Sequence, residues 1–190
     1  MRIEAGKITL RSVDIGDVAT ILQWENDPNL AQYSDPHEPY TEQDIVEFVV
    51  EQQRGFEANG QLRLMICLDR HPIGAIDLFN HKGTTAEVGV LIYDNHLRRQ
   101  GYATQALEQV KRLAPQLGIS TLLSTVDEQN RASNRLFERC GFTKIDKNRY
   151  EIHLIVNGKS VYTVRLTELL WYSVGRPWSP VGNRWRIIEL

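Results

Sequence analysis

The stretch from Glu87 to Ala106, EVGVLIYDNHLRRQGYATQA, carries the residues whose types and spacing best fit chemistry. An apolar strand signal gives way to a polar turn, and helical spacing begins near Gly101. The first turn of a helix leaves backbone N–H groups without partners and carries partial positive charge, which makes it a phosphate site. Gly101 lets a phosphate approach the main chain with no Cβ in the way. Ala103 keeps the next turn small, and Arg98 and Arg99 add positive charge. A Gly and an Ala also open ordinary helices, so this spacing alone leaves a plain helix start as a second reading. Other chemistries find less. The histidines (His37, His71, His81, His96, His153) and the two cysteines show no metal-ligand spacing, so no metal is expected. Cys67 in an apolar strand and Cys140 at a helix end read as buried, inert thiols.

The elements that must position this stretch follow from hydrophobic period and punctuation. Ile8 to Val13 reads as a strand, with Ser12 or Asp14 capping a helix whose apolar stripe is Ile15, Val18, Ala19 and Leu22. Pro28, Ser34, Pro36 and Pro39 mark an irregular loop. Thr41 and Asp44 form a capping-box pattern before a helix that puts Ile45, Phe48, Val49 and Gln52 on one face. Leu62 to Leu68, Ile73 to Phe79 and Ala86 to Tyr93 form a strand meander, with turns at Asp69 to Pro72 and Asn80 to Thr84. A helix from Gly101, distorted at Pro115 and ended by Gly118, precedes a strand from Ile119 to Val126. A helix from Asn130 to Cys140 is stopped by Gly141. Asn157-Gly158 predicts a hairpin joining Tyr150–Val156 to Ser160–Leu166. This order specifies a mixed α/β (α+β) domain with a mostly antiparallel sheet flanked by helices.

With 190 residues, one domain is expected. Hydrophobic residues at 42% and charged residues at 24% argue against disorder. A net charge of −2 argues against a generic nucleic-acid binder. That sum conceals a split: residues 1–60 hold 12 acidic and 4 basic side chains, and residues 61–190 hold 18 basic and 12 acidic. Charge asymmetry of this kind points to different partners for the two parts, or to acid-rich helices that are merely solvated. No signal peptide and no apolar run of membrane-spanning length is evident, so a cytoplasmic, reducing setting without a membrane partner is expected.

Arg98-Arg99-Gln100-Gly101-Tyr102-Ala103 resembles the R/Q-x-x-G-x-G/A signature of the GNAT superfamily of acetyl-CoA-dependent N-acetyltransferases. Asn130 to Phe142 resembles that family's N-x-x-S-x-x-L-[YF]-x-x-x-G-F segment, and the element order agrees from Lys7 to Leu166. Ile73 to Leu78 and the Asn-Gly hairpin are similar to the subgroup of spermidine and ribosomal-protein N-terminal acetyltransferases.

The resemblance implies an acetyltransferase domain over residues 1–168, with residues 169–190 a Trp/Pro-rich extension (Trp171, Trp178, Trp185) packed on it or at a homodimer interface. It implies acetyl-CoA as cosubstrate and an amine-bearing small molecule or peptide as acceptor, with no nucleic acid. Backbone groups of Val90, Leu91 and Ile92 would pair with the pantetheine arm, in a gap where the strand at Ala86–Tyr93 splays from that at Ile119–Val126. Arg98 would add charge, and amides of Arg99, Gln100, Gly101, Ala103 and Thr104 would hold the pyrophosphate. Asn130 and Ser133 would contact the cofactor, Asn130 also being a natural N-cap. An amide near Leu91 would stabilise the oxyanion. Glu87 would relay the amine proton, or is a surface strand glutamate. Phe137 stands where many members have a Tyr that protonates the leaving thiolate. Tyr93, Tyr102 and Tyr150 are candidate replacements. That departure motivates the alternative of a coenzyme A-binding sensor or interaction module with little catalysis. The acidic residues Asp27, Asp35, Glu38, Glu42, Asp44 and Glu47 fall on the family's substrate side, suiting a cationic amine.

Overall fold

The computed structural model describes residues 8–31 and 38–155. Its strands are β1 (Ile8–Ser12), β2 (Leu62–Leu68), β3 (His71–Lys82), β4 (Thr85–Ile92), β5 (Thr121–Thr125), β6 (Thr143–Asp146) and β7 (Arg149–His153). They form one sheet in the order β1-β2-β3-β4-β5-β7-β6, antiparallel except for the β4–β5 pair. The helices are α1 (Val18–Glu25), α2 (Pro28–Ala31), α3 (Glu42–Gln52), α4 (Phe56–Asn59), α5 (Tyr102–Leu113) and α6 (Arg131–Arg139).

Strand alternation divides the core between two faces. Leu64, Ile66, Ile76, Leu78, Val88, Val90 and Ile92 point to one face and pack under α5 and α6 through Ala103, Ala106, Leu107, Val110, Leu136 and Phe137. Met65, Cys67 and Ala75 point to the other and meet α1 and α3 through Ile21, Trp24, Ile45, Phe48 and Val49. The mixed fold with a mostly antiparallel sheet is therefore as the sequence specifies.

Local rules account for most of the helices. Thr41 caps α3 and exchanges hydrogen bonds with Asp44, and Ile45, Phe48, Val49 and Gln52 are its buried side. Asp14 caps a turn of 3-10 helix at Ile15–Asp17 that leads into α1. Pro115 lies in a second 3-10 turn, Ala114–Leu117, and Gly118 closes it with φ +77°.

Several expected boundaries differ. The loop predicted from Pro28 begins with a helical turn, α2, where Asp27 accepts from the Asn29 N–H at 2.8 Å. Asp69 and Arg70, both with positive φ, complete the β2–β3 turn, so His71 and Pro72 already belong to β3. The β3–β4 turn is likewise tighter than Asn80–Thr84: β3 runs to Lys82 through a register shift at Asn80, whose φ is +51°. β7 pairs with β6, a strand the pattern missed because all four of its residues are exposed and show no apolar alternation. The predicted partner strand at Ser160–Leu166 and the Trp-rich extension lie outside the described residues. Among the described residues no helix is long and apolar enough to cross a membrane.

Candidate active site

β4 and β5 run in parallel only from Thr85↔Thr121 to Glu87↔Leu123. One step further the ladder is replaced by a side chain: buried Ser124 Oγ donates to Val88 O at 2.9 Å. Beyond that pin the strands part, which is the splay the resemblance implies. Main-chain direction in the fork follows from three bonds. Tyr93 N–H donates to Ile73 O on β3 at 2.9 Å. Val88 O faces β5, and Ile92 O is reached by Arg98 Nε at 2.9 Å. Alternation along an antiparallel ladder then turns the polar groups of Val90 and Ile92 toward the fork and those of Leu91 toward its partner Ala75. Leu91 presents its side chain to Leu30 and Tyr93 on the opposite face.

The fork leads to the start of α5. Gly101 is its N-cap, with φ +84°, and no side chain caps the first-turn amides. A Cβ at Gly101 would meet nothing within 4 Å. The left-handed backbone, rather than crowding, is what requires glycine there. A cavity of about 600 Å³ opens at this point, lined by Ile92, Leu97, Arg99, Gly101, Tyr102, Ala103, Thr104, Arg131, Ala132, Arg135, Leu136 and Arg139. Of the predicted cofactor residues, Ile92, Arg99, Gly101, Ala103 and Thr104 line it. Arg98 does not: its guanidinium donates to Ile92 O and Tyr93 O, tying the turn to the end of β4. Gln100 turns its side chain to His96 O. Asn130 caps α6, its Oδ1 accepting from the Ser133 N–H at 3.0 Å, and both residues are buried outside the cavity wall. The three α6 arginines were missed because a motif reads α6 by its fixed letters, whereas the wall is set by which helix face turns inward.

On the opposite face of the sheet Glu87 is half-buried, and Asn80 Nδ2 donates to its Oε1 at 3.2 Å. Two strands away Arg63 is buried between two carboxylates. Its Nη1 contacts Glu25 Oε1 at 2.5 Å and its Nε contacts Asp77 Oδ1 at 2.7 Å. The guanidinium lies 4.9 Å from the centre of the Phe48 ring. Asp77 is paired across the ladder with Gly89 on β4, so this triad of net charge −1 lies next to the strand that carries Glu87. Trp24 stacks on Tyr93 with ring centres 5.2 Å apart, and Tyr93 Oη donates to Asp27 Oδ2 at 3.0 Å.

The candidate acids separate on these contacts. Burial and the Asp27 carboxylate push the Tyr93 hydroxyl pKa up, and its O–H is already engaged in donating a hydrogen bond to Asp27. Burial and Glu138 push up that of Tyr150, which donates to Asn134 Oδ1 at 2.6 Å. Tyr102 is the one of the three on the cavity wall, with its hydroxyl turned to Gln100 Oε1 at 3.4 Å. Phe137 is fully buried, edge-on to Phe142 at 4.9 Å, and serves the core. Cys67 and Cys140 are buried free thiols, as expected, and burial raises the Cys140 pKa. Among the described residues no group of His, Cys, Asp and Glu could hold a metal ion.

Known proteins share this fold. YwnH of Bacillus subtilis, provisionally named a phosphinothricin acetyltransferase, is 32% identical over 80 residues, which span 37% of this chain and 48% of YwnH. The match thus spans about half the length of that curated relative. The spermidine N-acetyltransferase of Vibrio cholerae, solved with CoA and spermine, superposes with a TM-score of 0.63 at 22% identity, covering 77% of this chain and 95% of that one. RimL, a ribosomal L7/L12 alpha-N-protein acetyltransferase solved with coenzyme A, gives 0.66 at 16% identity, covering 82% and 99%. At such identities these two show the fold. The acetyltransferase (GNAT) domain family itself matches residues 7–143, well over half of the sequence, and this chain therefore belongs to the GNAT acetyltransferases.

Proposed function

We propose that the chain is an N-acetyltransferase that moves the acetyl group of acetyl-CoA to a primary amine of a small molecule or peptide by direct attack. The observation that carries this reading is the fork between β4 and β5, which opens onto the cavity at the uncapped first turn of α5. The residues present suit such a cosubstrate: an elongated thioester carrier needs a strand edge for its amide-bearing arm and a positive, small-residue helix start for its pyrophosphate.

Each side chain then has a task. The first-turn amides of α5 and Arg99 hold the pyrophosphate. The main-chain groups of Val90 and Ile92 hold the arm, and alternation favours their amides over that of Leu91 as oxyanion donors. Glu87, steadied by Asn80, takes the proton that the amine nitrogen loses as its bond to the acetyl carbon forms. As the carbon–sulfur bond breaks the sulfur keeps the electron pair. A thiol of this type has a pKa near 8.5, so it departs without a protein acid and takes its proton from water. Phe137 in the core and the hydrogen-bonded hydroxyls of Tyr93, Tyr150 and Tyr102, the last turned to Gln100 Oε1, support this exit.

The acceptor enters on the α1–α3 side and is cationic. The Glu25–Arg63–Asp77 triad and the exposed Glu38, Glu42 and Glu47 support that reading, as does the spermine in the V. cholerae relative. Two buried free thiols support a reducing cytoplasmic setting. Thiol release from acetyl-CoA over a panel of spermidine, an aminoglycoside, a peptide N-terminus and an acidic amine tests it. Turnover of the cationic members is expected. Tight coenzyme binding with no turnover of any amine would overturn it in favour of a binding module.

A further inference from the structure

The cavity at the α5 start offers more positive charge than a pyrophosphate diester uses. Arg131, Arg135 and Arg139 stand at i, i+4 and i+8 on α6, so successive guanidiniums rise along one face over about 12 Å. Arg99 faces them across the same cavity, and no carboxylate lines it. All four arginines are exposed, and among the described residues none of their side chains makes an ion pair or hydrogen bond. Four like charges converging without a counter-ion repel one another, so the arrangement suits a ligand that brings about four negative charges. A pyrophosphate diester brings about two, and it is already served by the α5 amides. A phosphate monoester brings about 1.5 to 2 more at neutral pH, and its oxygens match the planar guanidinium fork.

We propose that the α6 arginine ladder is a second phosphate subsite that takes the 3′-phosphate monoester of coenzyme A, so that the protein discriminates the coenzyme from its 3′-dephospho form. This rests on reading the cavity as the coenzyme site. The ladder is a selectivity device distinct from the pyrophosphate turn: its residues lie outside the Arg98–Ala103 signature.

The test is calorimetric titration of the full chain with coenzyme A and with 3′-dephospho-coenzyme A. The wild type is expected to bind the first at least about tenfold more tightly. Arg131→Ala, Arg135→Ala and Arg139→Ala are each expected to weaken coenzyme A about three- to tenfold while changing the dephospho form by less than about twofold. Arg112→Ala, on α5 but off the cavity wall, is expected to change neither. All four sites are exposed, so the variants fold, and unfolding midpoints check this. Equal wild-type affinity for the two ligands, or equal losses of both in the variants, overturns the subsite and leaves the coenzyme reading standing. Failure of either ligand to bind overturns both.

Discussion

Gly74 offers a sharp test of the link between sheet geometry and turnover. It lies on β3 opposite Ile92, and a Cβ there would sit 2.0 Å from Leu91 O, 3.0 Å from Ile92 Cα and 3.0 Å from Leu91 C. All three atoms are main chain, so no side chain can swing aside. A carbon–oxygen contact is comfortable at about 3.3 Å or more, so Gly74→Ala must part β3 and β4 locally by about 1 Å. Overpacking of that kind costs about 1–3 kcal/mol, which for a chain of this length lowers Tm by about 2–12 °C. The displaced segment is the Val90–Ile92 edge proposed to hold the thioester arm. Displacing a reacting group by about 1 Å costs about a hundredfold in rate. Gly74→Ala is therefore expected to lose about two decades of kcat/KM in a thiol-release assay while remaining folded. Gly89→Ala is the control for fold: its Cβ would make an ordinary 3.5 Å contact with Phe79 Cε1, and Tm should shift by no more than a few degrees. A Gly74→Ala protein with unchanged Tm and kcat/KM within about threefold of wild type would refute the reasoning.

Three further expectations follow from the site and its supports. Glu87→Gln should lower kcat/KM by about 10²–10⁴ and abolish the acid limb of its pH profile. Asn80→Gly keeps the left-handed backbone but removes the hydrogen bond, so it should cost several-fold alone and nothing more when added to Glu87→Gln; an unaltered rate in Glu87→Gln across the pH range removes Glu87 from the base role. Arg63→Met removes the guanidinium that lies between the buried Glu25 carboxylate and that of Asp77, and denaturant unfolding should show a loss of about 3–5 kcal/mol; a near-neutral effect would mean that the pocket readily admits water. Burial of Asp17 works against its charge, but hydrogen bonds from Arg11 and from the Asp14 N–H prevail and hold its pKa below the ordinary value. Its stabilisation is thus complete above about pH 4 and is lost as the pH falls through the lowered value. The gap in stability between wild type and Asp17→Asn should accordingly close in acid, and a gap that persists unchanged to about pH 2 would exclude this linkage.

What could be read from sequence divides along the range of the interactions involved. Caps and stripes are local, so Asp14, Thr41 with Asp44, and the Ile45–Gln52 face of α3 follow from neighbours three and four residues away. β6 is held by pairing with β7 rather than by burial, so it leaves no apolar alternation to read. Gly74 sits in a run that reads as an ordinary strand. Only the approach of β4, a segment distant in the chain, shows that its missing Cβ is required.

The same division governs the site. Gly101 and Ala103 declare a helix start by themselves, and Asn130 declares a cap, so these positions were legible. Where Arg98 points is not legible in the motif, because a guanidinium's target is a tertiary fact: the chain delivers it to Ile92 O and leaves Arg99 on the cavity wall. Counting charges fails for a related reason. Glu25 and Asp77 contribute two charges to the acidic count of the sequence, of which buried Arg63 offsets one, whereas Arg131, Arg135 and Arg139 keep their full charge because nothing among the described residues pairs with their side chains. A net charge sums paired and unpaired groups alike, while a ligand meets only the unpaired ones. The contrast between the −8 of residues 1–60 and the excess of bases beyond them therefore locates the two sides of the reaction only after pairing has been subtracted. What survives around the cavity is a column of three guanidiniums on α6 with Arg99 facing it, and it is their number, beyond what a pyrophosphate uses, on which the proposed second phosphate subsite rests.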